Sequence, residues 1–180
     1  MQARSPSSPR ARSPSSGPAR GPRSVRETRE EVVATSKDTI ALAKTFYALF
    51  NDRKLDDMTK LVAGDVTWSD TPTAQVFQGP TGFKAFVQGW LTAFPDARVE
   101  IQQQVASEDA VVTEFVARGT HQGPLASPHG SIPPTGRKLD MRFCEVMRLA
   151  NGKVTEGRVY YDTTTLLRQL GVSPESLATR

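Results

Sequence analysis

Two carboxylates, an arginine and a tyrosine fall close together near the end of the chain, in the segment LDMRFCEVMRLANGKVTEGRVYYD at residues 139–162. Asn151-Gly152 is a strong hairpin signal, because both residue types tolerate the positive φ of a two-residue turn. With that pair as the loop, Ala150 faces Lys153. Counting outward sets Glu145 opposite Arg158, Phe143 opposite Tyr160 and Met141 opposite Asp162. Side chains alternate along a strand, so these residues share one face. That face is expected to point inward and to form a polar patch at the bottom of a pocket. The other face, with Arg142, Cys144, Val146, Val159 and Tyr161, is expected outside.

Each of these groups has a structural and a chemical reading. Asp162 sits at a strand end just before a helix. It can cap that helix by accepting a backbone N–H of Thr164 or Thr165. It can also be a carboxylate in a dry cavity, its pKa raised by desolvation, that shuttles a proton. Glu145 and Arg158 form either a buried cross-strand ion pair or an anchor for a carbonyl or acidic group of a ligand. Tyr160 is a wall residue or a donor to a growing negative charge on oxygen. His121 is a hydrogen-bonded loop histidine or a proton exchanger at the pocket mouth. Phe143, Trp68, Trp90 and Phe86 are core residues or apolar lining for a ligand. Cys144 is the single cysteine and the histidines are His121 and His129. An intrachain disulfide is excluded, and a zinc site is not expected.

The elements that must hold these groups are legible from periodicity. Ser36 is a plausible N-cap for a helix with Ile40, Ala43, Phe46, Tyr47 and Phe50 in one stripe. Leu55, Met58, Leu61 and Val62 suggest a second, short helix stopped by Gly64. Residues 65–70 read as a short strand. Phe83, Phe86, Val87, Trp90, Leu91 and Phe94 give a third helix a broad apolar face, ended by Pro95. The period then becomes two. Val99, Ile101, Gln103 and Val105 alternate in one strand, and Val111, Thr113, Phe115 and Ala117 in the next. Residues 122–136 form a long loop with four prolines, and the hairpin and a last helix follow. Helices before strands predict an α+β fold. The expectation is a curved antiparallel sheet with three main helices laid across it, enclosing a cavity.

Length suits one domain, expected at 33–172, with a frayed end at 173–180. Residues 1–32 are rich in Arg, Ser and Pro, repeat ARSPSS, and offer no Leu, Ile, Phe, Trp or Tyr to bury at 1–30, so disorder is expected. Residues 1–26 hold six arginines and no acid; the remainder has 17 basic and 19 acidic residues. The net charge of +4 therefore belongs to the tail, and no specific grip on nucleic acid is expected. There is no apolar run of about 18 residues and no apolar segment behind the N-terminus, so neither a membrane span nor a secretory signal is expected, and a cytoplasmic setting is the expectation.

A family resemblance adds to this. AxxFYxxFN, Trp68 in a short strand, GPTGFKAFVQGWLTAFPD, GTHQGPL, IPPTGRKL, FCEVMRLANGK and GKVxxxxVYYDxxxLLxQLG occur in that order over residues 40–171. Together they resemble SnoaL-like polyketide cyclases, or ester cyclases, of the nuclear transport factor 2-like superfamily. The resemblance implies a cone around a deep cavity, a small hydrophobic ligand, and general acid/base chemistry without cofactor or metal. That chemistry is ring closure or isomerisation of a carbonyl compound, with Asp162 at the acid/base position. A pocket histidine near that position in the family has no counterpart in the hairpin, and Arg158 stands where many relatives have Trp or His. The resemblance also implies a homodimer through the outer sheet face, where Val146, Val159 and Tyr161 are expected. The alternative on the same scaffold is a non-catalytic module that binds a small molecule or a protein.

Overall fold

The computed structural model of the chain describes residues 35–127 and 130–173. The expected disordered tail and His129 lie outside them, as does the expected frayed end beyond Ser173. Helix α1, Ser36–Asn51, is capped one residue before the expected Ser36. The Thr35 hydroxyl accepts from the Asp38 N–H, and the Asp38 carboxylate accepts from the Thr35 N–H, a reciprocal box that satisfies two end donors. Its apolar stripe buries Ala43, Phe46 and Tyr47. A short α2, Leu55–Lys60, buries Met58. Strand β1, Val62–Asp70, begins earlier than expected, so Gly64 lies in a strand and does not stop a helix. Strand β2, Gln75–Gln78, leads into α3, Gly79–Ala93, which buries Phe83, Val87 and Leu91.

The remaining strands are β3 (Arg98–Ala106), β4 (Ala110–Thr120), β5 (Leu125–Ser127), β6 (Gly130–Ile132), β7 (Lys138–Ala150) and β8 (Lys153–Tyr161), followed by α4, Thr163–Leu170. The main sheet has the order β2-β1-β8-β7-β4-β3. The α+β class and curved sheet are as expected, but the sheet is not wholly antiparallel. β1 pairs β8 in parallel, because both run the same way after the chain has crossed the domain between them. The expected long loop also carries structure: β5 and β6 pair as a small ribbon that buries Leu125 and Ile132.

Bulges bend the sheet and reset its faces. In β3 the register shifts between Ile101 and Gln103. Gln104 thus turns inward, donating to Thr113 Oγ1 at 3.1 Å, while Val105 turns out and is 61% exposed. A second shift in the β7–β8 hairpin overturns the expected register. Asn151-Gly152 does form the turn, and Leu149 does face Val154. Thr155 then bulges, so Arg148 faces Glu156, Glu145 faces Val159, and Phe143 faces Tyr161. One extra residue moves every later β8 side chain to the opposite face. Gly157, Val159 and Tyr161 therefore point inward with Met147, Glu145 and Phe143. Arg158 and Tyr160 point out.

Candidate active site

Glu145 occupies the inward row of β7, between Phe143 and Met147, with Thr113 of β4 and Val159 of β8 beside it. It is 5% exposed. From α1, Tyr47 donates its hydroxyl to Glu145 Oε1 at 2.8 Å. The Tyr47 ring is fixed by Phe46, at 5.8 Å, and Phe115, at 5.2 Å. Together these groups border a cavity of about 80 Å³ lined also by Phe86, Trp90, Phe94 and Phe143. Burial pushes the Glu145 carboxyl up to about 8, against a smaller opposite pull from the Tyr47 hydrogen bond. Burial, and then the neighbouring Glu145, raise Tyr47 well above the usual phenol range. At neutral pH the pair is a neutral acid beside a neutral phenol in an apolar chamber. Such a carboxyl can donate a hydrogen bond to a ligand oxygen.

This burial has a stability consequence with a definite sign. Between about 4.5, the ordinary value, and about 8, folded Glu145 holds a proton that the unfolded chain releases. The contribution is thus present at low pH and is lost as pH rises through that window. Urea unfolding of wild type and Glu145→Gln at pH 5 and pH 8 is expected to show wild type losing stability relative to the variant at the higher pH. An unchanged difference between the two proteins would mean that Glu145 ionises near its ordinary value.

A second carboxyl shares the row. Asp70 ends β1, faces Val159, and is 6% exposed. Tyr161 donates to Asp70 Oδ2 at 3.2 Å and Thr73 Oγ1 donates to the same oxygen at 2.7 Å. Asp70 Oδ1 is buried and has no hydrogen-bond partner among the described residues. Burial raises this carboxyl above its usual range, and the two hydroxyls pull it back. A larger chamber of about 330 Å³ adjoins it, lined by Asp70, Phe77, Ile132, Tyr161 and Leu166. Phe86 and Trp90 line both chambers.

The residues expected from sequence divide between the cavity and the surface. Phe143, Trp90, Phe86 and Trp68 line the smaller chamber with Glu145. Trp68 is also core, stacked on Phe46 at 5.7 Å and against Phe83 at 4.8 Å. The Glu145–Arg158 pair does not form: Arg158 lies on the outer face and meets Glu156 at 3.2 Å. Tyr160 is on that same face, 38% exposed. Asp162 is the exposed N-cap of α4, accepting from the Thr164 N–H at 2.9 Å and the Thr165 hydroxyl at 2.5 Å. These bonds, the Thr165 hydroxyl foremost, hold its carboxyl below the usual range. His121 is fully buried against Phe94, its Nδ1 accepting from the Thr135 N–H at 3.3 Å, and it lines neither chamber. Tyr47, Asp70 and Tyr161 are the polar groups that sequence reasoning passed over. Asp70 carried a signal, because it alternates with Val66 and Trp68.

Among the described residues no cluster of His, Cys, Asp and Glu has the makings of a metal site, and no helix is long and apolar enough to cross a membrane. The sequence model of the family described as SnoaL-like polyketide cyclase matches residues 40–170. Nogalonic acid methyl ester cyclase of Streptomyces nogalater is 30% identical over 124 residues, 68% of this chain and 89% of that protein. Among solved structures, AclR of Streptomyces galilaeus, proposed to be a hydroxylase, aligns with a TM-score of 0.67 at 26% identity, over 78% of this chain and all of that one. IdmH of Streptomyces antibioticus, proposed to be a polyketide cyclase, aligns with a TM-score of 0.62 at 28% identity, over 74% of this chain and 98% of the other.

Proposed function

This chain belongs to the SnoaL-like polyketide cyclase family, and from that premise we propose that it is a cofactor-free cyclase or isomerase of a small hydrophobic carbonyl compound. The observation that carries the reading is the Tyr47–Glu145 pair, buried at the wall of an apolar cavity. Removing a proton from a carbon next to a carbonyl puts negative charge on the oxygen. A donor placed at that oxygen, away from water, lowers the barrier. Neutral Glu145 offers its O–H there, and the Tyr47 hydroxyl bonded to it supports the carboxylate that develops. Asp162, on the surface and engaged in capping, has no part in this version of the mechanism. Ring closure of the kind named for the Streptomyces nogalater relative is one member of the class. The two open chambers speak for a ligand site over a solid scaffold.

The test needs no knowledge of the natural substrate. 2-Tetralone is a flat, apolar ketone with acidic hydrogens at C1. In deuterated buffer, NMR is expected to show the protein accelerating loss of the C1 proton signal above the buffer rate. No acceleration at substoichiometric or equimolar protein would remove the reading.

The proposal includes a homodimer through the outer sheet face, where Val146 stays as expected but Val159 and Tyr161 do not. The hairpin bulge takes Val159 and Tyr161 inside. Val105, Val112 and Tyr160 stay exposed, at 61%, 38% and 38%. Exposed apolar groups on a sheet face invite a second copy. Sedimentation at high micromolar concentration is expected to give the mass of two chains; the mass of one chain would count against it.

A further inference from the structure

We propose that Asp70 is the base of this reaction, taking the proton from the carbon next to the ligand's carbonyl while Glu145 serves the oxygen. The inference rests on the reading above and adds the residue that reading lacks.

Three observations carry it. The first is position. Asp70 and Glu145 both face Val159, from its two sides, so the three residues form one inward row across β1, β8 and β7. Two strand spacings put the Cα atoms of the carboxylates about 10 Å apart. Their side chains enter the interior from the same wall, with Val159 between them. The second is that Asp70 is not spent on a helix cap. It precedes the short helical turn Thr71–Thr73, yet its side chain makes no capping hydrogen bond there. Asp162, at the start of α4, does. The third is its bonding. Both hydroxyl donors, Thr73 and Tyr161, serve Oδ2, and Oδ1 is left buried with no partner among the described residues. A buried carboxylate oxygen without a donor is unfavourable unless it has a use. Burial works against the charge more than the hydroxyls at Oδ2 favour it, which makes the group a stronger base than an exposed aspartate, and Oδ1 is where a proton can be received.

The two carboxyls differ in bonding: Asp70 accepts two hydroxyls at Oδ2, and Glu145 accepts one, from Tyr47. The larger chamber at Asp70 and the smaller one at Glu145 share Phe86 and Trp90. The proposal requires a flat ligand laid along those rings to reach both groups. The step balances without a co-reactant. The C–H bond breaks, its electron pair becomes the enolate double bond, and its proton goes to Asp70 Oδ1. The enolate oxygen takes the hydrogen of Glu145. Return of a proton from Asp70 to carbon, and of the oxygen's hydrogen to Glu145, restores both groups. In deuterated buffer Asp70 exchanges its proton with solvent before returning it.

Asp70→Asn tests this with 2-tetralone. The C1 exchange rate is expected to fall about 10²-fold or more, the scale of a general base. Binding of 2-tetralone, read by calorimetry, is expected to stay within about threefold, because the apolar walls supply it. Asp70→Asn exchanging at the wild-type rate overturns the proposal and leaves the Glu145 reading intact. A wild type that does not exchange at all takes both down. Tyr161→Phe guards against loss of fold at position 70. It removes one hydroxyl that favours ionised Asp70, so the acid limb of the exchange pH profile is expected to move to higher pH. An unmoved limb overturns the proposal as well.

Discussion

Glu145→Gln is expected to lower catalysed exchange of the 2-tetralone C1 hydrogens by about 10²-fold or more, the scale of a lost proton donor at a developing oxyanion. Glutamine keeps the size of the side chain, and its carbonyl can still accept the Tyr47 hydroxyl. Its amide can even donate to the ligand's oxygen, so binding is expected to change little. What it cannot do is give up a proton to that oxygen. The pH profile separates this role from its opposite. Burial puts the Glu145 carboxyl at about 8. If the neutral acid is the working form, wild-type exchange falls as pH rises through about 8, and the residual activity of the variant has no such limb. A wild-type rate that rises through the same window would mean that Glu145 works as an ionised base. A variant as fast as wild type would remove it from the chemistry.

Glu145 was legible in the sequence for a physical reason. β7 pairs with β4 through residue after residue without interruption, so alternation alone puts Phe143, Glu145 and Met147 on one face. Trp90 and Phe86 were legible in the same way, from a helical period whose broad apolar face has to meet the sheet. β8 was not, because strand alternation propagates any error in count. The single bulged residue, Thr155, lies in an unremarkable run of Val-Thr-Glu. With it uncounted, Arg158, Tyr160 and Asp162 were assigned inward, and Val159 and Tyr161 outward. Asp70 was passed over for another reason: as an acid at a strand end before a proline it has the composition of a surface turn. Its burial follows from long-range pairing of β1 with β8, about ninety residues away in the chain. Asp162 carried both of its readings in the sequence; only its exposure selects the cap.

Gly157 was the one clue in β8 to the true count, and a single added methyl group there is expected to have a large stability effect. In the unbulged register Gly157 would point outward, where alanine is neutral or mildly stabilising because it restricts the unfolded chain. In the observed register Gly157 faces Trp68 across the β1–β8 ladder and is buried. A Cβ there would lie 2.3 Å from Trp68 Cε3 and from Cζ3. The indole has nowhere to go. It is 1% exposed and packed against Phe46 and Phe83, which also contact each other. The clash must therefore move two strands apart or break that aromatic stack. Overpacking of this kind in a close-packed core costs about 3 kcal/mol or more. Gly157→Ala is expected to lose at least that in urea unfolding. The cause can be isolated with a second substitution. Trp68→Leu alone leaves a cavity and costs roughly 2–4 kcal/mol. With the indole gone the methyl group has room, so adding Gly157→Ala to it is expected to cost far less than in wild type. The two changes are then strongly non-additive, as residues in direct contact are. Strict additivity, or a Gly157→Ala protein as stable as wild type, would put Gly157 on the outer face. It would also return Arg158 and Tyr160 to the interior, and the pairing of Asp70 with Glu145 across Val159 would go with it.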